Sequence, residues 1–301
     1  MQLTKLDQIF DLVRNRKKQH LVSVWPVDGH SIEAVSKAVD MDLVEATLVG
    51  DKKSIITACQ NQSIDPQKFN IIEEDNDTGA AEKAVELIND RKGSLLMKGN
   101  LSTDKYMRAI LNKEKGLMDP GAVLSHVTVM KISAYHKLLI IGDVAIIPLP
   151  DLKQKIAITR CLIKIAVSLG IDMPKLAVLA ATEQVLPGMP ACTDAAIISK
   201  MAERKQIKGA FIDGPLSMDL AINKNAAEIK GINSKVAGDA DCILFPNIES
   251  GNVFYKANVQ YGESEQAAII VGARVPAVLS SRSDSAQTKL YSIALAAMLA
   301  K

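Results

Sequence analysis

Neither sign of charge dominates this chain. Its 36 Lys and Arg residues are matched by 34 Asp and Glu, the net charge is +2, and the two signs are interspersed. A protein built to hold nucleic acid carries a strongly basic face, so nucleic acid is excluded as the main partner. One local cluster, Arg14, Arg16, Lys17 and Lys18, reads as the solvated end of a first helix, with phosphate contact as the alternative. Cysteine is sparse: Cys59, Cys161, Cys192 and Cys242 form no CxxC pair. That leaves no zinc or redox motif and points to free thiols in a reducing compartment. His20, His30, His126 and His136 show no HExxH spacing, so no metal site is expected. No stretch reaches about 18 consecutive apolar residues, as a membrane helix requires. The first twenty residues read as an amphipathic helix, without the apolar core and small-residue cleavage site of a signal peptide. A cytoplasmic protein without a membrane partner is therefore expected. Nucleotide signatures are missing too. There is no GxGxxG, and the one P-loop near-match, Gly209 to Gly214, continues into Pro215 and Leu216 instead of Lys and Ser/Thr. Gly214-Pro215 thus reads as a turn at a strand end. No GxSxG elbow is present.

What is present is apolar sequence in quantity and in rhythm. Apolar residues make up 48% of the 301, enough for two cores at about 100–200 residues per domain. Short β-branched runs lie at 20–27, 43–50, 69–74, 94–99, 122–131 and 137–145, then at 176–182, 208–215, 241–247 and 267–280. Helix-length stretches alternate with them, at 31–39, 51–60, 79–90, 102–113, 151–169, 192–203, 218–229, 251–260 and 285–300. This alternation predicts an α/β protein with parallel or mixed sheets covered by helices. The strands are apolar nearly throughout, as burial of both faces demands. Asp51, Ser102 and Asp151 stand where helix caps are needed. No Gly/Ser linker divides the chain, and 128–137 is the candidate for the first crossing between domains.

Four polar turns follow apolar strands, where open α/β sheets place ligands. The strongest is Ser280-Ser281-Arg282-Ser283-Asp284-Ser285, ahead of the helical run TKLYSIALAAML. Backbone N–H groups at a helix start favour an anion, and an Arg can grip phosphate with two bonds. The same residues could simply cap the helix, with Asp284 or Ser285 at the N-cap. The second turn is Lys98-Gly99-Asn100-Leu101-Ser102-Thr103, with Arg108 on the following helix. The third is Asp213-Gly214-Pro215, followed by Asp219. The fourth runs from Pro246 to Asn252 through Glu249, with Lys256 beyond it. Each of the last two could equally be plain turn chemistry.

Together these segments resemble a known family. Residues 96–117, 179–196, 207–222, 230–256 and 275–296 are similar, in order, to phosphate acetyl/butyryltransferases, and most of all to the butyryl enzymes. DGPLxxD, PxIExGNxxYK and SSRSDS carry the likeness, which spans roughly residues 40–300. The resemblance implies two α/β/α domains with a cleft between them, isocitrate/isopropylmalate dehydrogenase-like, the first from 1–133 plus 271–301 and the second from 134–270. It implies a homodimer, or a higher homo-oligomer, formed through the second domain. The implied reaction converts a short-chain acyl-CoA, butyryl favoured, and inorganic phosphate to acyl phosphate and CoA. It is reversible and passes through a ternary complex without an acyl-enzyme. Coenzyme A is then a substrate, and no cofactor is tightly held. By the same resemblance Arg282 binds phosphate and Ser281 hydrogen-bonds the developing oxyanion. The carboxylate base of the acetyl enzymes falls near Thr288 here, which leaves Asp284 as the nearest substitute. Lys98, Gly99, Ser102, Thr103, Arg108, Asp213, Gly214, Pro215, Glu249, Asn252 and Lys256 are the implied substrate contacts. The chain departs from the family pattern at Ile146, within Gly142 to Ile147, and at Gly188, where Lys is usual. Those departures keep a non-catalytic, CoA-binding regulatory paralogue open as an alternative. Others are an acetyl- or propionyl-preferring enzyme, an acyl-carrier-protein:phosphate acyltransferase, and a decarboxylating dehydrogenase. The last needs carboxylate clusters for a divalent metal, and no matching set is visible.

Overall fold

The computed structural model describes residues 3–281 and 284–301. In chain order its strands are β1 (Gln19–Val24), β2 (Val44–Gly50), β3 (Asn70–Glu73), β4 (Leu95–Lys98), β5 (Ser125–Lys131), β6 (Leu138–Gly142), β7 (Lys175–Leu179), β8 (Phe211–Leu216), β9 (Cys242–Leu244), β10 (Glu265–Val271) and β11 (Ala277–Val278). Two compact units divide the chain. One comprises Asp7–Ala122 and Gln266–Lys301; the other comprises Val123–Glu265 and the described residues through Leu6. The boundaries stand at 122/123 and 265/266, where the resemblance implied 133/134 and 270/271. β5 pairs antiparallel with β6, from Val127 opposite Gly142 to Lys131 opposite Leu138, which ties it to the second unit.

In the first unit the strand order is β3-β2-β1-β4-β11-β10. All neighbours are parallel except β10 and β11. In the second unit the order is β5-β6-β9-β7-β8, parallel from β6 onward. Parallel strands covered by helices must be apolar on both faces. Leu21, Val22, Leu48, Leu95 and Met97 are accordingly buried to within 1%. Each such side chain contributes about 1.5–3 kcal/mol.

The helix starts follow local chemistry. Asp51 accepts from Ser54 N at 2.7 Å, and Ser102 accepts from Lys105 N at 3.3 Å. Asp151 and Gln154 satisfy each other's backbone N–H at 2.7 and 2.9 Å, a capping box. Two long segments break where one element was expected. The run 267–280 becomes β10 and β11, turned by Gly272 at φ 99 and by Pro276. The stretch 218–229 splits into Met218–Ile222 and Lys224–Ile229. Asn223 is extended there and caps the second helix through Ala226 N.

Candidate active site

β1, β4 and β11 are parallel neighbours in one sheet, so the turns that follow them leave from the same edge. Each turn leads into a capped helix. Asp28 accepts from Ser31 N at 2.9 Å and starts helix Gly29–Asp40. Ser102 starts Thr103–Leu111. Ser285 accepts from Thr288 N at 3.1 Å and starts Ala286–Leu299. Three helix N-termini thus open on one edge, where their aligned amides favour negative charge.

The first two turns are bonded to each other. Gly99 N donates to Val24 O, and Asn100 N to Trp25 O, both at 2.8 Å. A Cβ on Gly99 would lie 2.5 Å from Trp25 O and 2.6 Å from Val24 O, so only glycine allows this approach. Lys98 is 3% exposed and donates to Gly99 O at 3.3 Å. Thr103 is exposed at the helix start. Arg108 is exposed on the same helix and pairs with Asp104 one turn back, Nε to Oδ1 at 3.1 Å.

The turn after β11 is held by charged side chains. Asp284 Oδ2 accepts from Ser281 N at 2.7 Å, and Asp284 N donates to Ser281 O at 3.2 Å. The buried Lys289 amine donates to Ser281 O at 2.9 Å and to Ser280 Oγ at 3.1 Å. Burial lowers the pKa of Lys289, while the charges of Asp28 and Asp284 act in the opposite direction. Ser281 itself is exposed. Arg282 and Ser283 lie outside the described residues. A cavity of about 360 Å³ borders the turns after β1 and β4 and is lined by Asp28, His30, Gly99 and Asn100, and by Lys289 of helix Ala286–Leu299.

The remaining sequence-derived residues belong to the second unit. Asp213, Gly214 and Pro215 do not form a turn after a strand. They lie within β8, whose pairing with β7 shifts register between Ala177 and Leu179. β8 is an edge strand, where a proline costs no ladder bond. Ser199 Oγ donates to Gly214 O at 3.1 Å, and a Cβ on Gly214 would meet Val178 O at 2.6 Å. Asn252 is half-buried on helix Ile248–Tyr261 and donates to Val144 O at 3.0 Å; Glu249 and Lys256 are exposed on that helix. The Val144 turn is organised by buried Asp143. Its Oδ1 accepts from Ala145 N at 2.7 Å and Ile146 N at 2.9 Å, and its Oδ2 from His126 N at 3.1 Å. The amide of the divergent Ile146 is thus used in that turn.

Asp28 and Lys289 are the residues that sequence reasoning missed. The signal for Asp28 was WPVDGHS, a strand followed by a capping residue. The signal for Lys289 was its standing as the one charge in the apolar run 286–300. Burial raises the thiol pKa of Cys59, Cys161 and Cys242, which makes these cysteines poor nucleophiles. Among the described residues no group of three or more His, Cys, Asp or Glu could hold a metal ion. No helix there is long and apolar enough to cross a membrane.

Residues 78–297 match the family model described as phosphate acetyl/butaryl transferase. A phosphate butyryltransferase of Clostridium acetobutylicum is 41% identical over 298 residues, 99% of each chain. A phosphate acetyltransferase of Thermotoga maritima is 37% identical over 298 residues, 98% of this chain and 99% of its own. A branched-chain phosphotransacylase from Enterococcus faecalis superposes with a TM-score of 0.80 at 26% identity, covering 93% of this chain and 98% of that one. On the family match and these full-length likenesses, this chain belongs to the phosphate acetyl/butaryl transferase family.

Proposed function

We propose that this chain transfers a short acyl group, butyryl by preference, between coenzyme A and inorganic phosphate. The observation that carries this reading is the edge formed by β1, β4 and β11. It gathers three capped helix N-termini and the buried amine of Lys98, in a chain of this family, while the buried Lys289 holds the turn after β11. That edge suits a phosphoryl group and the anion formed during acyl transfer.

In the forward direction a phosphate oxygen attacks the thioester carbonyl carbon. The tetrahedral oxyanion then collapses, the C–S bond breaks, and CoA leaves as its thiolate and takes up a proton. Ser281, exposed on a fixed backbone, donates to the oxyanion; one such donor is worth about 10²–10³ in rate. Arg282 takes the phosphate, and Asp284 manages the thiol proton. A thiol of pKa about 8.5 needs such help when the reaction runs in reverse near neutrality. Coenzyme A comes and goes as a substrate. Lys98, Gly99, Ser102 and Thr103 line the phosphate-accepting turn. In the second unit, Asp213 to Pro215, Glu249, Asn252 and Lys256 supply further substrate contacts.

The same reading takes the protein as a cytoplasmic homodimer, or a higher homo-oligomer, assembled through the second unit. There Val253 and Tyr261 on helix Ile248–Tyr261 are 67% and 91% exposed, and apolar surface of that kind suits an interface. Each unit is taken as an α/β/α domain of the isocitrate/isopropylmalate dehydrogenase kind.

The test is CoA thiol release from acetyl-, propionyl- and butyryl-CoA, with and without phosphate. Phosphate-dependent release with butyryl-CoA ranked first is expected. Release that ignores phosphate, or none from a folded protein that binds CoA, would overturn the reading.

A further inference from the structure

We propose that Lys289 is a positioning residue: its buried ammonium fixes the backbone of Ser281 so that the serine hydroxyl is held ready for the reacting carbonyl. This assignment rests on the acyl-transfer reading of the site.

Lysine is almost never fully buried unless its charge is satisfied. Lys289 is 3% exposed in a helix whose residues Leu290 to Met298 are all buried. A leucine or methionine would serve the core there and would escape the desolvation cost of a charge. The amine instead spends its hydrogen bonds on two neighbouring residues, at the Ser280 hydroxyl and the Ser281 backbone carbonyl. Ser281 is consequently gripped on both sides. Its N–H goes to the Asp284 carboxylate, and its C=O accepts from Lys289 and from the Asp284 amide. Ser281, between these grips, is exposed. A donor aimed at a developing oxyanion must be held in advance, by neighbours whose own positions are locked by packing. Lys289 also lines the cavity beside Asp28, Gly99 and Asn100, so the group that fixes the turn after β11 borders the turns after β1 and β4.

The experiment compares the wild type with Lys289→Met in phosphate-dependent thiol release. Loss of the grip should lower kcat about 10²-fold, the penalty of misplacing a reacting group by about 1 Å. KM for acyl-CoA and for phosphate should stay within about threefold, because the residue touches neither substrate. Lys289→Arg, which keeps a cationic donor, should recover at least about tenfold of the loss. A kcat within about threefold of wild type in Lys289→Met, or a loss carried by KM, overturns the assignment. If Lys289→Met fails to fold, Ser280→Ala replaces it. Removal of one acceptor of the amine should lower kcat about three- to tenfold, and an unchanged kcat overturns the assignment. Absence of phosphate-dependent release in the wild type overturns the acyl-transfer reading and this assignment together; an active wild type with a normal Lys289→Met overturns the assignment alone.

Discussion

Gly99→Ala tests whether the turn after β4 and the turn after β1 work as one piece. The added Cβ would sit 2.5 Å from Trp25 O and 2.6 Å from Val24 O, where ordinary contact begins at 3.4 Å. Both obstacles are backbone, so no side chain can swing aside, and the turns must separate by close to 1 Å. Such a separation lengthens the bonds from Gly99 N and Asn100 N, each 2.8 Å in the native protein. Overpacking of this kind costs about 1–3 kcal/mol. For a cooperative unit of this size that lowers Tm by about 2–4 °C per kcal/mol. The effect on chemistry should be larger, because a 1 Å shift of a binding turn costs about 10²-fold in rate. The assay is kcat for phosphate-dependent thiol release, measured beside a thermal melt. A variant with normal kcat and normal Tm would refute the reasoning. A lowered Tm with normal kcat would show that the turn serves the fold and not the chemistry.

Other perturbations separate stability from catalysis. Arg282→Ala should lower turnover by about 10²–10³ with the melting curve unchanged, since the loss falls on transition-state charge; near-normal turnover would remove Arg282 from the phosphate site. Asp151→Ala deletes the cap of helix Leu152–Ser168, and the melt should show a loss of about 1 kcal/mol, within a range of about 0.5–2. Asp239 receives Lys137, Lys175 and His136. Burial alone would raise its carboxyl pKa, but the hydrogen bonds and charges of Lys137 and Lys175 win and hold it below the usual carboxylate range. The stability it contributes is therefore present above the unfolded value of about 3.9 and is lost as pH falls toward the folded one. Asp239→Asn should melt lower than wild type at pH 7, and its Tm should fall less steeply between about pH 5 and pH 2. Parallel Tm profiles for the two proteins would contradict this.

Local chemistry made most of the fold legible. The strand runs from 20–27 to 241–247 each overlap an observed strand, because two-sided burial leaves an uninterrupted apolar signature. Asp51, Ser102 and Asp151 cap as expected, since an N-cap is satisfied by its own next turn and needs no distant partner. Asp213-Gly214-Pro215 was less legible. Gly-Pro signals a turn in any sequence, and only an edge position beside β7 turns it into part of a strand.

By itself, then, the sequence determined the α/β alternation, the capped helix starts, the family and the polar turns worth testing, all properties of neighbouring residues or of a pattern carried along the chain. Tertiary structure decided which turns share an edge. Val24 and Gly99 are bonded because β1 and β4 pair, although 70 residues of other elements separate those strands. It also decided that Lys289, a lone charge in an apolar helix, would spend its amine on Ser280 and Ser281. The physical reason is that a buried charge must find acceptors, and packing alone dictates which acceptors lie within reach.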